Sequence, residues 1–337
     1  MGLVEKSTKN SQRVGYFDTL RFLAMLIIYV THFIAKFCPD YFVFWKTMPT
    51  SILLYDITGK FGVVLFGVLL GYFAYLNKDN NSTRYIVKRY SFFAFSGLLI
   101  NLVYALAGVF IEGFPAYSIK NVLIESILLD DGIFVTYWCI QFFFFGSIIS
   151  YINGKANVSF VVILFEIFIS YLLGFDWVGV CLVGNLLGMF MARKITIRLL
   201  KHRVVRIVSL VLLFFAIKLP TYLFDAVWCS LIIIVIENST ITKKILNNKF
   251  TSYLGQQGMG VYLFHPICYS VLGPYLFDWL SPLPYELSFC LTIITCLVVI
   301  IVISIPSVKF INFVIKKIGD WVVLLQTKMK KRINHNN

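Results

Sequence analysis

The stretch CLTIITCLVVIIVI, residues 290–303, is almost continuously apolar, and so is IVSLVLLFFAI at residues 207–217. Strands of a membrane β-barrel alternate apolar and polar residues over segments of about ten residues, and neither stretch alternates in this way. Inside a bilayer, the α-helix is the remaining structure that satisfies all of its own backbone hydrogen bonds. These stretches therefore predict membrane-spanning helices and an all-α fold.

The composition of the whole chain supports the same fold class. Of the 337 residues, 59% are apolar and only 14% are charged, whereas soluble domains are about 25% charged. A water-soluble domain cannot bury so much apolar surface, so we predict a polytopic transmembrane helix bundle. Since each span needs about 20 apolar residues, we predict about ten spans, at residues 17–37, 58–76, 90–111, 133–152, 157–175, 177–192, 204–219, 221–237, 255–277 and 287–315.

The distribution of basic residues predicts the orientation of this bundle. If the N-terminus lies in the cytoplasm, all but five of the 30 Lys and Arg residues fall on the cytoplasmic side, as the positive-inside rule requires. We therefore predict an N-in, C-in topology with a cytoplasmic N-terminal segment at residues 1–16, the bundle at residues 17–315 and a basic cytoplasmic tail at residues 316–337. The longest outer segment, residues 112–132, is too short for a domain and is predicted to be a soluble connection.

Net charge and cysteine spacing argue against two other kinds of protein. The net charge of +14 follows mostly from topology, and the aromatic residues, 17% of the chain, belong to lipid-facing and interfacial positions. Nucleic-acid binding is therefore not expected, because it needs exposed basic residues among stacking aromatics. The seven cysteines form no CxxC pair and lie in or beside apolar runs, so we expect neither a disulfide framework nor a metal site.

Three ionisable residues in the first span are the strongest functional candidates, because ionisable groups inside a membrane are costly. They are Asp18, Arg21 and His32. At about 100° and 1.5 Å per residue, Arg21 and His32 lie within about 20° of one helical face and about 16 Å apart, and Asp18 can pair with Arg21. An extended pantetheine arm with phosphates at one end has about this reach. Alternatively, Arg21 extends to the cytoplasmic interface and His32 only forms a hydrogen bond inside the bundle.

Five stretches of the sequence occur in an order and spacing typical of one family. They are YFDTLRFLAMLIIYVTH at residues 16–32, FGVVLFGVLLG at 61–71, RYIVKR at 84–89, TYW at 136–138, and the segment from Tyr253 to VYLFHP at 261–266. Together they resemble membrane acyltransferase family 3 over roughly residues 16–310. The chain departs from the family pattern at Val64, Leu70 and Phe92, where an acidic residue, a serine and an arginine are usual.

The resemblance implies a function as well as a fold. Members of this family move an acyl group, usually acetyl, from cytoplasmic acyl-CoA to a hydroxyl of an extracytoplasmic or lipid-linked polysaccharide. It therefore implies acetyl-CoA as a co-substrate, no permanently bound cofactor, a glycan acceptor as partner, and a multi-pass location among the lipids of a bacterial cytoplasmic membrane. A homo-oligomer is compatible with the sequence.

The same resemblance implies roles for the residues of the first span. His32 is then the general base, since an imidazole with a pKa of about 6.5 can take the hydroxyl proton. Asp18 orients Arg21, and Arg21 faces the donor. A transient acyl-histidine at His32 is a second chemical route.

Further residues are candidates for the same site. The basic residues Arg84, Lys88 and Arg89 are predicted to attract the donor phosphates, or else to contact anionic lipids. His265 precedes a proline that removes one helical hydrogen bond; it either contacts the acceptor or the thioester oxygen, or is a satisfied polar core residue. The aromatic residues of the last two motifs are predicted to contact the acceptor or to serve packing, and they are Trp138 and Tyr262.

Two other functions are compatible with a bundle of this kind. The first is a secondary transporter or flippase of a lipid-linked saccharide. Such folds usually carry inverted repeats and paired broken helices, and only one broken position, Pro266, is evident in the sequence. The second is a non-catalytic subunit of a polysaccharide-export assembly. Dependence on an ion gradient would favour the transporter, and dependence on acyl-CoA would favour the enzyme.

Overall fold

The protein is seen here in a computed structural model. The structure describes residues 15–37, 49–79, 82–110, 117–129, 138–172, 176–193, 229, 233 and 239–336. Within these residues all regular structure is helical, so the all-α prediction is confirmed. The helices are α1 (Gly15–Phe37), α2 (Pro49–Leu76), α3 (Ser82–Phe110), α4 (Ile119–Leu128), α5 (Trp138–Ala156), α6 (Phe160–Leu172), α7 (Asp176–Met191), α8 (Thr240–Leu246), α9 (Lys249–Ile267), α10 (Gly273–Trp279) and α11 (Tyr285–Asn336).

Three described helices contain segments that are long and apolar enough to cross a membrane. These segments are Gly15–Phe37 in α1, Thr83–Phe110 in α3 and Tyr285–Trp321 in α11, and a shorter apolar segment, Gly62–Leu76, lies in α2. The predicted spans at 204–219 and 221–237 fall outside the described residues, apart from 229 and 233. The structure therefore supports a helical membrane protein, whereas the ten spans and the N-in, C-in topology stay predictions.

Helix α1 packs closely against both α2 and α9. Its residues Ala24 and Tyr29 are completely buried. Each approach depends on a glycine of the neighbouring helix: a Cβ at Gly62 of α2 would lie 2.6 Å from the Ala24 carbonyl oxygen, and a Cβ at Gly255 of α9 would collide with the carbonyl of Asp18. The polar residues of α1 are therefore held by close backbone packing on two sides.

Gly255→Ala is expected to destabilise the protein, because the added methyl group would force α1 and α9 apart beside Asp18. Overpacking of this kind costs about 1–3 kcal/mol. Gly258→Ala on the same helix is the matched control, since its Cβ would lie 3.5 Å from the nearest atom of Arg21, an ordinary contact. Thermal unfolding in detergent should give a lower midpoint for Gly255→Ala alone, and equal midpoints for the two variants would contradict this packing.

Helix α2 is held on its other side by α7. A Cβ at Gly71 would meet the backbone of Asn185, and a Cβ at Gly188 would meet the carbonyl of Val68. Small residues at such contacts are typical of helix packing in membranes. The position of α2 between α1 and α7 therefore depends on small residues at both contacts.

Helix α4 lies within the segment that the sequence predicts to be a soluble connection, residues 112–132. Ser118 caps its N-terminus by accepting a hydrogen bond from the backbone of Asn121. On α3, the Asn101 side chain donates to the Ser126 hydroxyl at 2.9 Å, and the Tyr90 hydroxyl donates to the Ile127 carbonyl at 2.6 Å. Both α3 residues belong to an apolar segment long enough to span a membrane. This part of the connection is thus a helix that packs on a span.

The proline in α9 is followed by a local change of helix type. Helix α9 continues through Pro266 to Ile267, and a π-helical turn, Cys268–Leu272, then joins it to α10. A proline leaves the carbonyl four residues earlier without its helical partner, and wide turns of this kind often lie at functional sites. The α-helix is therefore not broken at Pro266 itself; the change of helix type begins two residues later, at Cys268.

Candidate active site

The acidic and basic residues at the start of α1 form a pair. Asp18 is buried, with 1% of its surface exposed, and its Oδ1 lies 2.5 Å from Nη1 of Arg21. The guanidinium carbon of Arg21 lies 4.4 Å from the centroid of the Phe73 ring on α2. Because a charge-assisted hydrogen bond and an aromatic face hold it, the Arg21 side chain has a defined direction. The ion pair predicted from the i, i+3 spacing is present.

Arg21 opens onto a cavity of about 600 Å³ that is strongly basic. Arg84, Lys88 and Arg89 of α3 also line this cavity, so the structure brings together all four cations predicted to bind the donor. No Asp or Glu occurs among the described residues that line it. At its edge, Arg84 forms an exposed ion pair with Asp320 at 3.4 Å. The cavity therefore has a positive field that suits a phosphate-bearing ligand.

The basic face of α3 follows from helical periodicity. Positions 84, 85, 88, 89 and 92 recur at the three- and four-residue intervals of one helical face, and all five line the cavity. Tyr85 was not predicted from the sequence; its ring stacks on Tyr151 at 4.4 Å, and its buried hydroxyl has no hydrogen-bond partner among the described residues. The helical periodicity that places the cations on one face also places Tyr85 there, so Tyr85 could have been predicted to line the cavity.

Part of the cavity lining is apolar, and most of the residues of this part come from α2 and α3. Phe66, Leu69 and Leu70 of α2 belong to it, and so does Phe92 of α3. Gln256 of α9 and Asn312 of α11 add polar side chains to the lining. A ligand with a charged end and a less polar chain matches this division. The contributions of α9 and α11 were not predicted, because no local pattern shows which distant helix will pack here.

His32 and His265 lie next to each other deeper in the bundle. Their ring centroids are 5.0 Å apart, and the rings meet edge to face at 87°. His265 is buried, with 1% of its surface exposed, whereas His32 is half-buried. Tyr269 of the π-helical turn contacts both histidines, with centroid distances of 5.6 and 5.9 Å. The structure thus joins two histidines that the sequence places 233 positions apart.

Both ends of the stripe predicted on α1 lie near residues of α9. Arg21 lines the cavity together with residues of α9, and His32 contacts His265 of the same α9. Eleven residues of helix separate them, which is about 16 Å along the axis. Arg21 and His32 therefore lie on one side of α1, at two depths, as their spacing predicts.

An aromatic cluster lies between the cavity and the histidines. Phe66, Phe143 and Tyr262 contact one another, with ring centroids 6.0 to 6.1 Å apart. Phe66 lines the cavity, and Tyr262 contacts His265 at 5.4 Å. Tyr262, predicted to contact the acceptor or to serve packing, is thus a packed neighbour of the histidines. For Trp138, which begins α5, the side chain is outside the described part of the structure.

Within the described ranges, no cluster of three or more His, Cys, Asp or Glu side chains is arranged to hold a metal ion. In the part of the chain that the structure describes, Cys268, Cys290 and Cys296 form no disulfide bond.

The fold and this site define a helical membrane protein with a basic cavity and, beyond the aromatic cluster, a pair of contacting histidines. A family model described as an acyltransferase domain matches residues 14–305. The match covers most of the chain, so the chain belongs to acyltransferase family 3 and is a membrane acyltransferase. No curated protein and no solved structure matches it.

Proposed function

We propose that this protein is an integral-membrane O-acetyltransferase that moves acetyl from cytoplasmic acetyl-CoA to a hydroxyl of an extracytoplasmic or lipid-linked polysaccharide. The observation that carries the proposal is the arrangement along α1. A four-cation cavity begins at Arg21, and a histidine pair lies about 16 Å further along the same helical face. One extended thioester ligand has the length to reach from one to the other.

The donor would bind with its phosphates in the cavity. Arg21, Arg84, Lys88 and Arg89 supply charge-assisted hydrogen bonds to phosphate oxygens, and the unpartnered hydroxyl of Tyr85 supplies another donor. The apolar part of the cavity lining suits the pantetheine arm. To bring the thioester to His32, that arm has to displace the contact between Phe66 and Tyr262. Acetyl-CoA is thus a co-substrate that enters and leaves, and we propose no permanently bound cofactor.

In the chemical step, His32 acts as general base. It takes the proton of the sugar hydroxyl while the hydroxyl oxygen attacks the thioester carbonyl carbon, and the carbon–sulfur bond then breaks. The proton passes from His32 to the departing thiolate, so the products are the acetyl ester and free CoA. A positioned base contributes about 10²–10⁴-fold, and fixed geometry in a site with little water contributes further. Asp18 acts through Arg21, which it holds in place.

The proposed location is a bacterial cytoplasmic membrane, with lipids around the bundle and a surface or lipid-linked glycan as acceptor. The test uses the full chain in lipid nanodiscs with radiolabelled acetyl-CoA, together with mass spectrometry of surface glycans from cells with and without the protein. We expect label in the glycan fraction, released free thiol, and a glycan mass increment of about 42 Da for each acetyl group transferred. Saccharide movement that depends on an ion gradient, without thiol release, would instead support the transporter alternative.

A further inference from the structure

Pro266 changes the hydrogen bonding of the residue four positions before it. In an α-helix the backbone N–H of residue 266 would donate to the carbonyl of residue 262, and a proline has no N–H to donate. In this structure the ring nitrogen Nδ1 of His265 is hydrogen-bonded to that Tyr262 carbonyl. The imidazole thus occupies the position that Pro266 leaves open.

This hydrogen bond determines which nitrogen of His265 carries the proton. A carbonyl oxygen only accepts, so Nδ1 has to be the donor. A neutral imidazole carries a single N–H, and burial in an apolar bundle favours the neutral ring. Nε2 of His265 is therefore a lone-pair nitrogen, able to accept a hydrogen bond or a proton and unable to donate one.

Nε2 is also buried without a partner among the described residues. An unmade hydrogen bond in a buried position is costly and calls for a partner supplied by a ligand or by a movement. Among the neighbouring rings that carry a donor, His32 lies in edge-to-face contact at 5.0 Å, and Tyr262 and Tyr269 are more distant, at 5.4 and 5.9 Å. Hydrogen bonds at active sites are often long or poorly aligned in the free protein and become short only in the complex with substrate.

We propose that Pro266 sets the tautomer of His265, and that Nε2 of His265 then accepts the N–H of His32 when the site closes on its donor. The other nitrogen of His32 is thereby left with its lone pair, ready to take the hydroxyl proton. His265 and Pro266 are positioning residues in this arrangement. The part concerning His32 as base rests on the proposed function, whereas the tautomer of His265 does not.

The proposal also decides between the roles that the sequence leaves open for His265. A lone-pair nitrogen cannot donate a hydrogen bond to the thioester oxygen, so neutral His265 does not stabilise the developing oxyanion. As a core residue it would be satisfied at Nδ1 alone, because its second nitrogen has no partner in the described structure. The role that we propose for it is to accept a hydrogen bond from His32, the closest to it of the neighbouring rings that carry a donor.

Nitrogen NMR of the full chain in nanodiscs tests the tautomer directly. ¹⁵N-histidine labelling in a His202→Gln/His335→Gln background leaves two histidines to observe. We expect His265 to show a protonated Nδ1 and an unprotonated Nε2. With CoA bound, we expect His32 to show a single tautomer, which becomes a mixture in His265→Ala. Protonation of His265 at Nε2, or a His32 signal unchanged in His265→Ala, would overturn the proposal.

Pro266→Ala tests the role of the proline. The restored backbone N–H competes with His265 for the Tyr262 carbonyl, so the fraction of His265 protonated at Nδ1 should fall. The transfer rate should fall about 10-fold with little change in the donor KM, within the about 10²–10⁴-fold that a positioned base contributes. Pro306→Ala removes the proline inside α11 and is the matched control, expected to change neither readout. An unchanged His265 spectrum in Pro266→Ala would refute the inference.

These measurements separate the inference from the proposed function. If Pro266→Ala does not fold, the spectra of the wild-type chain and of His265→Ala still decide the tautomer and its effect on His32. If the chain transfers no acetyl group but His265 shows the expected tautomer, the proposed function fails and the effect of Pro266 on His265 stands.

Discussion

His32→Ala is expected to reduce acetyl transfer by about 10²–10⁴-fold, the contribution of a positioned general base. The imidazole of His32 is the proposed proton acceptor, and its ring contacts His265 and Tyr269. The variant should insert and be produced at the wild-type level, because His32 is half-buried and no hydrogen bond to the described chain depends on its ring. Release of free thiol from acetyl-CoA, measured with the glycan present, gives the rate.

Thr31→Ala is the matched control for His32→Ala. Its hydroxyl donates to the Ile27 carbonyl of its own helix at 2.8 Å, so its loss should leave transfer within about twofold of wild type, as is usual for substitutions away from a site. Wild-type rates in His32→Ala would remove His32 from the mechanism. Acetyl that remains covalently attached to His32 during turnover would replace direct transfer by the two-step route.

Arg21→Ala should weaken donor binding more than any other cation substitution in the cavity. Arg21 is ordered by Asp18 and Phe73. A hydrogen bond from a charged group contributes about 1.5–3 kcal/mol, which corresponds to a loss of about 10- to 150-fold in affinity. Arg84→Ala should cost less, about fivefold at most, because Arg84 is exposed and has Asp320 as a neighbouring partner. Calorimetric titration with CoA measures both.

Lys317→Ala is the control for a general loss of positive charge. Lys317 lies over the Phe313 ring of α11, away from the cavity lining, and its removal should leave CoA affinity unchanged. Affinity for CoA should also fall with added salt in the wild-type protein and fall less in Arg21→Ala. Equal weakening of CoA binding by Lys317→Ala and Arg21→Ala would contradict a direct contact of Arg21 with the donor. The basic residues would then act only through the overall positive charge of the protein.

The parts of the site that lie on one helix were predictable from the sequence. The ion pair of Asp18 with Arg21, and the common direction of Arg21 and His32, follow from helical periodicity. The same is true of the basic face of α3, where the cations at 84, 88 and 89 meet one cavity. Apolar runs predicted the helical class in the same way. A segment that lies in lipid has to be apolar whichever helices it packs against, so this prediction does not depend on contacts between distant residues.

The parts that depend on distant contacts were not predictable. The contact of His32 with His265 and the aromatic cluster join helices far apart in sequence, and no local pattern encodes such pairings. Helix α4 was missed because a ten-residue helix falls below the length of a span. The hydrogen bond from His265 to the Tyr262 carbonyl could have been anticipated, since Pro266 visibly removes the competing backbone donor.

Photo-crosslinking of the donor tests most directly whether one thioester ligand reaches from Arg21 to the histidines. An acetyl-CoA analogue with a diazirine at its acyl end is irradiated with the full chain in nanodiscs, and labelled peptides are identified by mass spectrometry. The account predicts label on the peptides that contain His32 or His265, competition by acetyl-CoA, and loss of labelling in Arg21→Ala. Label confined to the segments around Arg84 and Lys88, or labelling that acetyl-CoA does not displace, would contradict it.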